Sequence, residues 1–500
     1  MRNSYLPFVA FGLACGSPAT IATATGPAPA PTVTDARMTR GVDESIGLQR
    51  DPAIAAALAD IDPVRVRRTD SVLVSFGTRN TFSDTLSATH GIGAARRWIY
   101  GEFQQYTRDC GGCLRVEYNQ KVQAIGRANG REVNVVDVLA WLPGRDTTHV
   151  VVMSGHYDSC VCGLQGGSID SVATAPGADD DGSGTSAIVE LARVLSKRFP
   201  KGLDASIIFV AVASEEQGLN GSRQLAEWLH EHGYKVVAGM TDDIVGNVTS
   251  EDGYTDSTSV RIFAADPDNS PSRELGRYVW ALDRVYTPGF EVVPVWRLDR
   301  IGRGGDHEPY VALGDAGLRF TERVENYNRQ HLPTDDFAHV NFSYVAKVAR
   351  VNAVTVASLA AAPPTPANAR AVRQGRAGSD STGNAGRSST GGQAWTLSWD
   401  PSQGATGYEL LVRSTTAPTW QEVIPVGTVT RCTLRRQLDD EWAAVRAVGA
   451  SGARSLSASM PAPNQVRSAA NLPGGRGAAA PATAQAPAGR AGPPPPACGG

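Results

Sequence analysis

Beyond its first two dozen residues the chain has no uncharged apolar stretch of the roughly 20 residues that a membrane-spanning helix needs. No segment recurs at a fixed period, so repeat arrays are excluded. Neither charge dominates: 47 Lys and Arg stand against 50 Asp and Glu. That balance gives no reason to expect nucleic acid or an anionic membrane surface as a partner. Cysteine and histidine are both scarce, at 7 and 8 of 500 residues, so a cluster of either carries information. The length is too great for one core, and two or three domains are expected.

What is there begins with an export pattern. Arg2 supplies a minimal positive start, Tyr5 to Cys15 an apolar run, and Ala22-Thr23-Ala24 a small-residue cleavage site. Residues 1–24 therefore read as a signal peptide, and the mature chain as secreted or periplasmic. Lipid anchoring at Cys15 is not expected, because Gly12 stands where such sites prefer a branched apolar residue. Cleavage leaves Cys110, Cys113, Cys160, Cys162, Cys432 and Cys498, an even set that favours disulfides in an exported chain. Six cysteines allow about 15 connectivities, and the pairing stays open. The Cys110/Cys113 spacing fits a structural bridge better than a redox site in that compartment. The Cys160/Cys162 pair lies just beyond His156, so thiolate ligation of a metal is an alternative there, though oxygen donors nearby already complete a site.

The chain divides by composition. Residues 25–44 read as an Ala/Pro/Thr-rich linker, and 45–361 as the main domain. Residues 45–110 look helical, most clearly Ala94 to Tyr106. Strands are expected at Val133–Leu142, His149–Met153, Ser206–Val212, Val236–Met240, Val260–Ala264 and Phe290–Trp296. Helices are expected at Thr185–Arg198, Ser222–His232, Pro271–Val285 and Tyr344–Ala360. Such alternation predicts an α/β domain, a mixed and largely parallel sheet flanked by helices, with ligands beyond the carboxyl ends of its strands. Residues 362–392 read as a flexible linker, 393–462 as a small all-β sandwich, and 463–500 as a disordered Ala/Pro/Gly-rich tail. Leu397-Ser398-Trp399-Asp400-Pro401 and Gly407-Tyr408-Glu409-Leu410 resemble the first strands of a fibronectin type III domain. Such a domain would contribute binding to a surface or substrate polymer, or tethering.

Five motifs carry chemistry. A histidine at a strand end is ordinarily a packed residue, but His156 is followed by Asp158, which could accept its N–H and fix the tautomer. Gly177-Ala-Asp-Asp-Asp-Gly-Ser-Gly184 precedes a helix and could be a mere capping turn. Its position after the His156 strand lets a carboxylate reach the same place, and Asp180 is chosen from its place in the motif. Glu215 and Glu216 follow an apolar strand, where two charges are costly unless paired or metal-bound. Glu216 could hold a metal while Glu215 accepts a proton from metal-bound water. Asp243, with Asp242 as competitor, ends the next strand, and His331 lies in a late loop with Asp335 as a possible orienting group. Carboxylate oxygen and imidazole nitrogen suit divalent cations, and a pair of metals needs one bridging carboxylate.

These motifs, with Ser214-Glu-Glu-Gln-Gly-Leu-Asn-Gly-Ser222 and Gly305-Asp-His-Glu-Pro-Tyr310, occur in an order that resembles peptidase family M28, of the bacterial secreted leucyl aminopeptidase type. The resemblance spans roughly 90–360. It implies two zinc ions, one on His156, Asp180 and Asp243, the other on Glu216, Asp180 and His331, with Glu215 as general base; Asp158 is counted with Glu215 as catalytic for its hold on His156. It implies peptide substrates and removal of N-terminal residues. Some family members have Tyr directly before the last histidine; here Gln330 stands there, leaving Tyr327 and Tyr310 as candidates for substrate contact. A carboxypeptidase or dipeptidase on the same ligands, a single-zinc glutaminyl-cyclase-like transferase, and a non-enzymatic binding scaffold are the rival readings.

Overall fold

The computed structural model describes residues 46–163, 170–374, 394–460 and 495–499. The signal segment, Cys15, the 25–44 linker and most of the C-terminal tail lie outside the described residues. Eight strands form the main sheet: β1 Arg115–Ile125, β2 Arg131–Leu142, β3 Asp146–His156, β4 Ala205–Val212, β5 Lys235–Asp242, β6 Ser259–Ala264, β7 Glu291–Val295 and β8 Gly317–Glu322. Their order is β1-β2-β4-β3-β5-β8-β6-β7. The central four, β4, β3, β5 and β8, run parallel. Beyond them β2 and β6 pair antiparallel, so the sheet is mixed.

Eight helices accompany it: α1 Pro52–Ala59, α2 Pro63–Ser75, α3 Gly91–Asp109, α4 Gly184–Arg198, α5 Asn220–Glu231, α6 Pro271–Tyr286, α7 Glu308–Ala312 and α8 Phe342–Ala360. Period-two alternation assigns the strand side chains to two cores. Val151, Met153, Ile207 and Phe209 join α1 to α4, α6 and α8 on one face. Val150, Val152, Ile208 and Val210 join Leu225 and Leu229 of α5 and Tyr310 of α7 on the other. Capping fixes several helix starts. The Ser270 hydroxyl accepts from Arg273 N–H at 3.1 Å, with Pro271 in the first turn of α6, and the Asn341 side-chain oxygen Oδ1 accepts from Tyr344 N–H at 3.0 Å at α8.

Two strands are absent from the sequence reading. β1 is a partly exposed hairpin arm of mixed polarity, which hides its period. β8 carries Arg319, Thr321 and Glu322 in six buried residues, so it lacks an apolar run. No described helix is long and apolar enough to cross a membrane.

A second region follows α8. Strands β9 Arg370–Arg373, β10 Ala394–Ser398, β11 Ala405–Ser414, β12 Glu422–Gly427, β13 Arg431–Arg435, β14 Glu441–Gly449 and β15 Ala458–Ser459 form two antiparallel sheets, β13-β10-β9 and β12-β11-β14-β15. Leu397, Trp399, Leu410, Val445 and Cys432 make their shared core. β9 lies inside the expected linker, paired with β10, so the chain is structured there earlier than composition suggested. The end of the expected tail also returns to the fold: Cys498 is disulfide-bonded to Cys432, and its N–H donates to Thr433 O at 3.0 Å. This β-domain is docked on α6. The Glu274 carboxylate accepts from Trp420 Nε1 at 2.9 Å, and Arg277 Nε donates to Pro418 O at 2.9 Å. The other disulfides are Cys110–Cys113 and Cys160–Cys162.

Candidate metal centre

The four central strands end at one place, and each delivers part of a cluster. His156 is the last residue of β3; Glu215 and Glu216 follow β4, Asp243 follows β5, and His331 lies on the loop after β8. Asp180 comes from the Ala178–Ser183 turn that leads into α4. That turn can press against β3 because Gly155 is bare: a Cβ there would lie 2.7 Å from Gly184 C and Thr185 N. Backbone strain accompanies the turns. Ser214, Ile244 and His331 all have positive φ, at 61°, 60° and 57°, a region costly for non-glycine residues and typical of functional sites.

The three consecutive aspartates have different partners. Asp179 Oδ1 accepts from Gly246 N–H at 2.7 Å. Asp181 accepts from the N–H groups of His156 and Gly184 at 3.0 and 2.9 Å. Asp180 alone faces the cluster, and its two oxygens divide: Oδ1 lies 3.2 Å from His156 Nε2 and Oδ2 lies 3.1 Å from His331 Nε2. On the His156 side stands Asp243 Oδ1, 3.8 Å from the same Nε2; on the His331 side stands Glu216 Oε2, 3.1 Å from that ring. Asp242 points away, accepting from Asn352 Nδ2 of α8 at 2.5 Å, as strand alternation requires.

Each imidazole is held by its other nitrogen. His156 Nδ1 faces Asp158 O at 3.2 Å, and His331 Nδ1 faces Gly163 O at 3.0 Å. Both carboxylates expected to orient a histidine do something else. The Asp158 carboxylate is 3.7 Å from His156 Nδ1 and instead accepts from the N–H groups of Glu215 and Glu216 at 3.2 and 3.3 Å. Asp335 accepts from the N–H groups of Asp179 and Asp180, both at 2.9 Å, and so holds the Asp180 turn.

The cluster calls for positive charge. Burial opposes an imidazolium at His331, yet Glu216 and Asp180 push its pKa up to about 12. Burial pushes the Asp158 carboxyl up to about 7, against the pull of His156. Burial likewise pushes the Glu215 carboxyl up. Glu216 Oε1 is buried without a hydrogen-bond partner, and His156 Nε2 has only the Asp180 and Asp243 carboxylates about it. Imidazole and carboxylate donors converge on two points here, and unmatched buried donors of that kind fit divalent cations.

Arg319 of β8 went unnoticed in the sequence. It is buried, and its Nη2 lies 2.8 Å from Asp243 Oδ1 while Nη1 lies 3.1 Å from Asp299 Oδ2. A charged residue inside a short strand was the available signal. Arg79 was also missed; its guanidinium donates to Tyr157 O at 2.6 Å and Gly177 O at 2.8 Å, clasping the His156 strand to the Asp180 turn.

A cavity of about 310 Å3 opens over the cluster, lined by Glu215, Glu216, Asp180, Asp243 and His331. Neither expected tyrosine is in its lining. Tyr310 is buried under the sheet against Gly239, where a Cβ would come within 2.2 Å of its ring; α7 turns that side chain into the core. Tyr327 is 43% exposed on the loop before His331, its N–H donating to Glu251. Cys160 and Cys162 are joined to each other, so they offer no pair of thiolates, although Cys162 Sγ lies 3.9 Å from Glu216 Oε2.

Comparison with known proteins agrees with this geometry. Residues 137–356 match the model of peptidase family M28. A probable zinc metalloprotease of Leptosphaeria maculans is 36% identical over 443 residues, covering 82% of this chain and 98% of its own. A second from Pyricularia oryzae is 36% identical over 449 residues, covering 83% of this chain and 85% of its own. The LapA aminopeptidase of Legionella pneumophila shares the fold at a TM-score of 0.50 and 20% identity, over 64% of this chain and 76% of that one. The chain belongs to peptidase family M28 and is a zinc metallopeptidase.

Proposed function

We propose that this peptidase is a di-zinc aminopeptidase, with His156, Asp180 and Asp243 for one ion and Glu216, Asp180 and His331 for the other. The observation that carries this reading is the division of Asp180, one oxygen toward each histidine at 3.2 and 3.1 Å. When bound, zinc at such a site polarises the scissile carbonyl and makes water a nucleophile near neutral pH. Glu215, reaching the same cavity, takes a proton from the attacking water and returns it to the leaving amine. Asp158 acts at one remove, fixing the backbone that aims Glu215 and Glu216. Arg319 fixes Asp243.

The motif set of the secreted leucyl aminopeptidase type supports cleavage at the amino end. The three disulfides and the signal-like start support action outside the cytoplasm. Glu215→Gln tests the central role. It should keep its zinc and lose roughly 10²–10⁴-fold in kcat on aminoacyl anilides. Wild-type turnover in that variant contradicts the assignment. Products from peptides blocked at one terminus decide between amino- and carboxypeptidase action.

A further inference from the structure

Three arginines line the cavity, and they are not equivalent. Arg319 is buried and spent on Asp243 and Asp299. Arg127 and Arg303 make no ion pair with any described carboxylate. Each is instead fastened to a neutral acceptor beside the cluster: Arg127 Nη1 donates to Glu216 O at 3.1 Å, and Arg303 Nη1 donates to Gln330 Oε1 at 3.0 Å. Gln330 is buried next to His331, and its amide is oriented because Nε2 donates to Glu325 Oε2 at 3.2 Å. The unexpected glutamine before the last histidine therefore aims a guanidinium. Arg303 reaches the cavity from Gly302-Arg303-Gly304, where Gly302 has a φ of 72° that favours glycine. Glu308, the acidic lining group outside the cluster, packs back on Gly304 and pairs with neither arginine.

A guanidinium has five donors in a planar fork that matches a carboxylate, and one bond to a neutral acceptor leaves most of them open. We infer that Arg127 and Arg303 form a carboxylate subsite, so that the favoured substrates are peptides with a carboxylate close to the scissile bond. The inference rests on the aminopeptidase reading. The carboxylate can come from an acidic side chain or from the free C-terminus of a very short peptide.

The test compares kcat/KM on Leu-Gly-amide, Leu-Gly and Leu-Asp-amide. Wild-type enzyme should favour at least one carboxylate peptide over Leu-Gly-amide by about tenfold or more, the scale of one charge-assisted hydrogen bond. Preference for Leu-Gly identifies the C-terminus as the source, and preference for Leu-Asp-amide the side chain. The ratio should shrink at high salt and approach one in R127Q/R303Q. In R127E/R303E it should invert, with Leu-Lys-amide overtaking. A wild-type ratio near one at low salt overturns the subsite without touching the peptidase reading, and so does a double variant that keeps the ratio. Failure to cleave any of the three peptides contradicts the aminopeptidase reading itself.

Discussion

Where the β-domain docks on α6, buried charges face their opposites. Glu274 and Arg277 are both buried and lie 2.6 Å apart, and Asp268 lies 2.6 Å from the buried Arg413. At the ends of β3, β4 and β5, carboxylates face carboxylates. Asp180, Glu216 and Asp243 meet only two histidines and one arginine, and Glu216 Oε1 is buried with no partner. A charge buried against its counter-ion is a closed structural element. Carboxylates buried together must either take up protons or share a further cation. The contrast separates architecture from chemistry, since exposure and burial alone would treat both regions alike.

Breaking the closed region gives the largest effect on stability. Glu274→Ala removes one of the two carboxylates on buried Arg277, leaving Asp268, and takes the acceptor from buried Trp420 Nε1. Chemical denaturation should show a loss of about 2–4 kcal/mol, at about 1–3 kcal/mol for each buried group that loses its partner, with zinc content unchanged. Zinc loss without destabilisation would erase the distinction between the regions. Smaller is the effect of Asp335→Asn, which weakens the hold on the Asp180 turn. Zinc affinity should fall about 10–100-fold by competition with a chelator, as for other groups that orient metal ligands. Unchanged affinity would show that the turn is held otherwise.

The smallest effect concerns a paired group near the site. Burial pushes the Glu325 carboxyl up, but Arg300 and Arg261 more than offset this and hold it at about 2, below its ordinary 4.5. A depressed folded-state pKa stabilises the protein above pH 4.5, and that contribution is lost as pH falls toward 2. Glu325→Gln should therefore be less stable at pH 7, and the gap to wild type should close between about pH 5 and 2. A gap that stays constant with pH would contradict the pairing.

Much of the site was legible because motif order and strand ends agree. His156 ends an apolar, β-branched strand and Glu216 and Asp243 closely follow two others, a pattern that shows locally. That Asp243 and not Asp242 faces the cluster follows from which face of β5 meets α8, a tertiary fact. Asp335 lies four residues beyond His331 in sequence yet serves the Asp180 turn, because the loop folds back across it. β8 escaped notice because its buried polar residues pair with groups far away in the chain, as Arg319 does with Asp243. Tyr310 was misplaced because its motif ends at the cavity while α7 turns the ring into the core.

The central claim is that Asp180 serves two ions. Zinc content of the purified chain, measured by elemental analysis after dialysis, tests it most directly in wild type and Asp180→Asn together. Two zinc ions per chain in the wild type, with a loss from both sites in the variant, is the expected result. One zinc per wild-type chain, or a variant that still holds two, would contradict it.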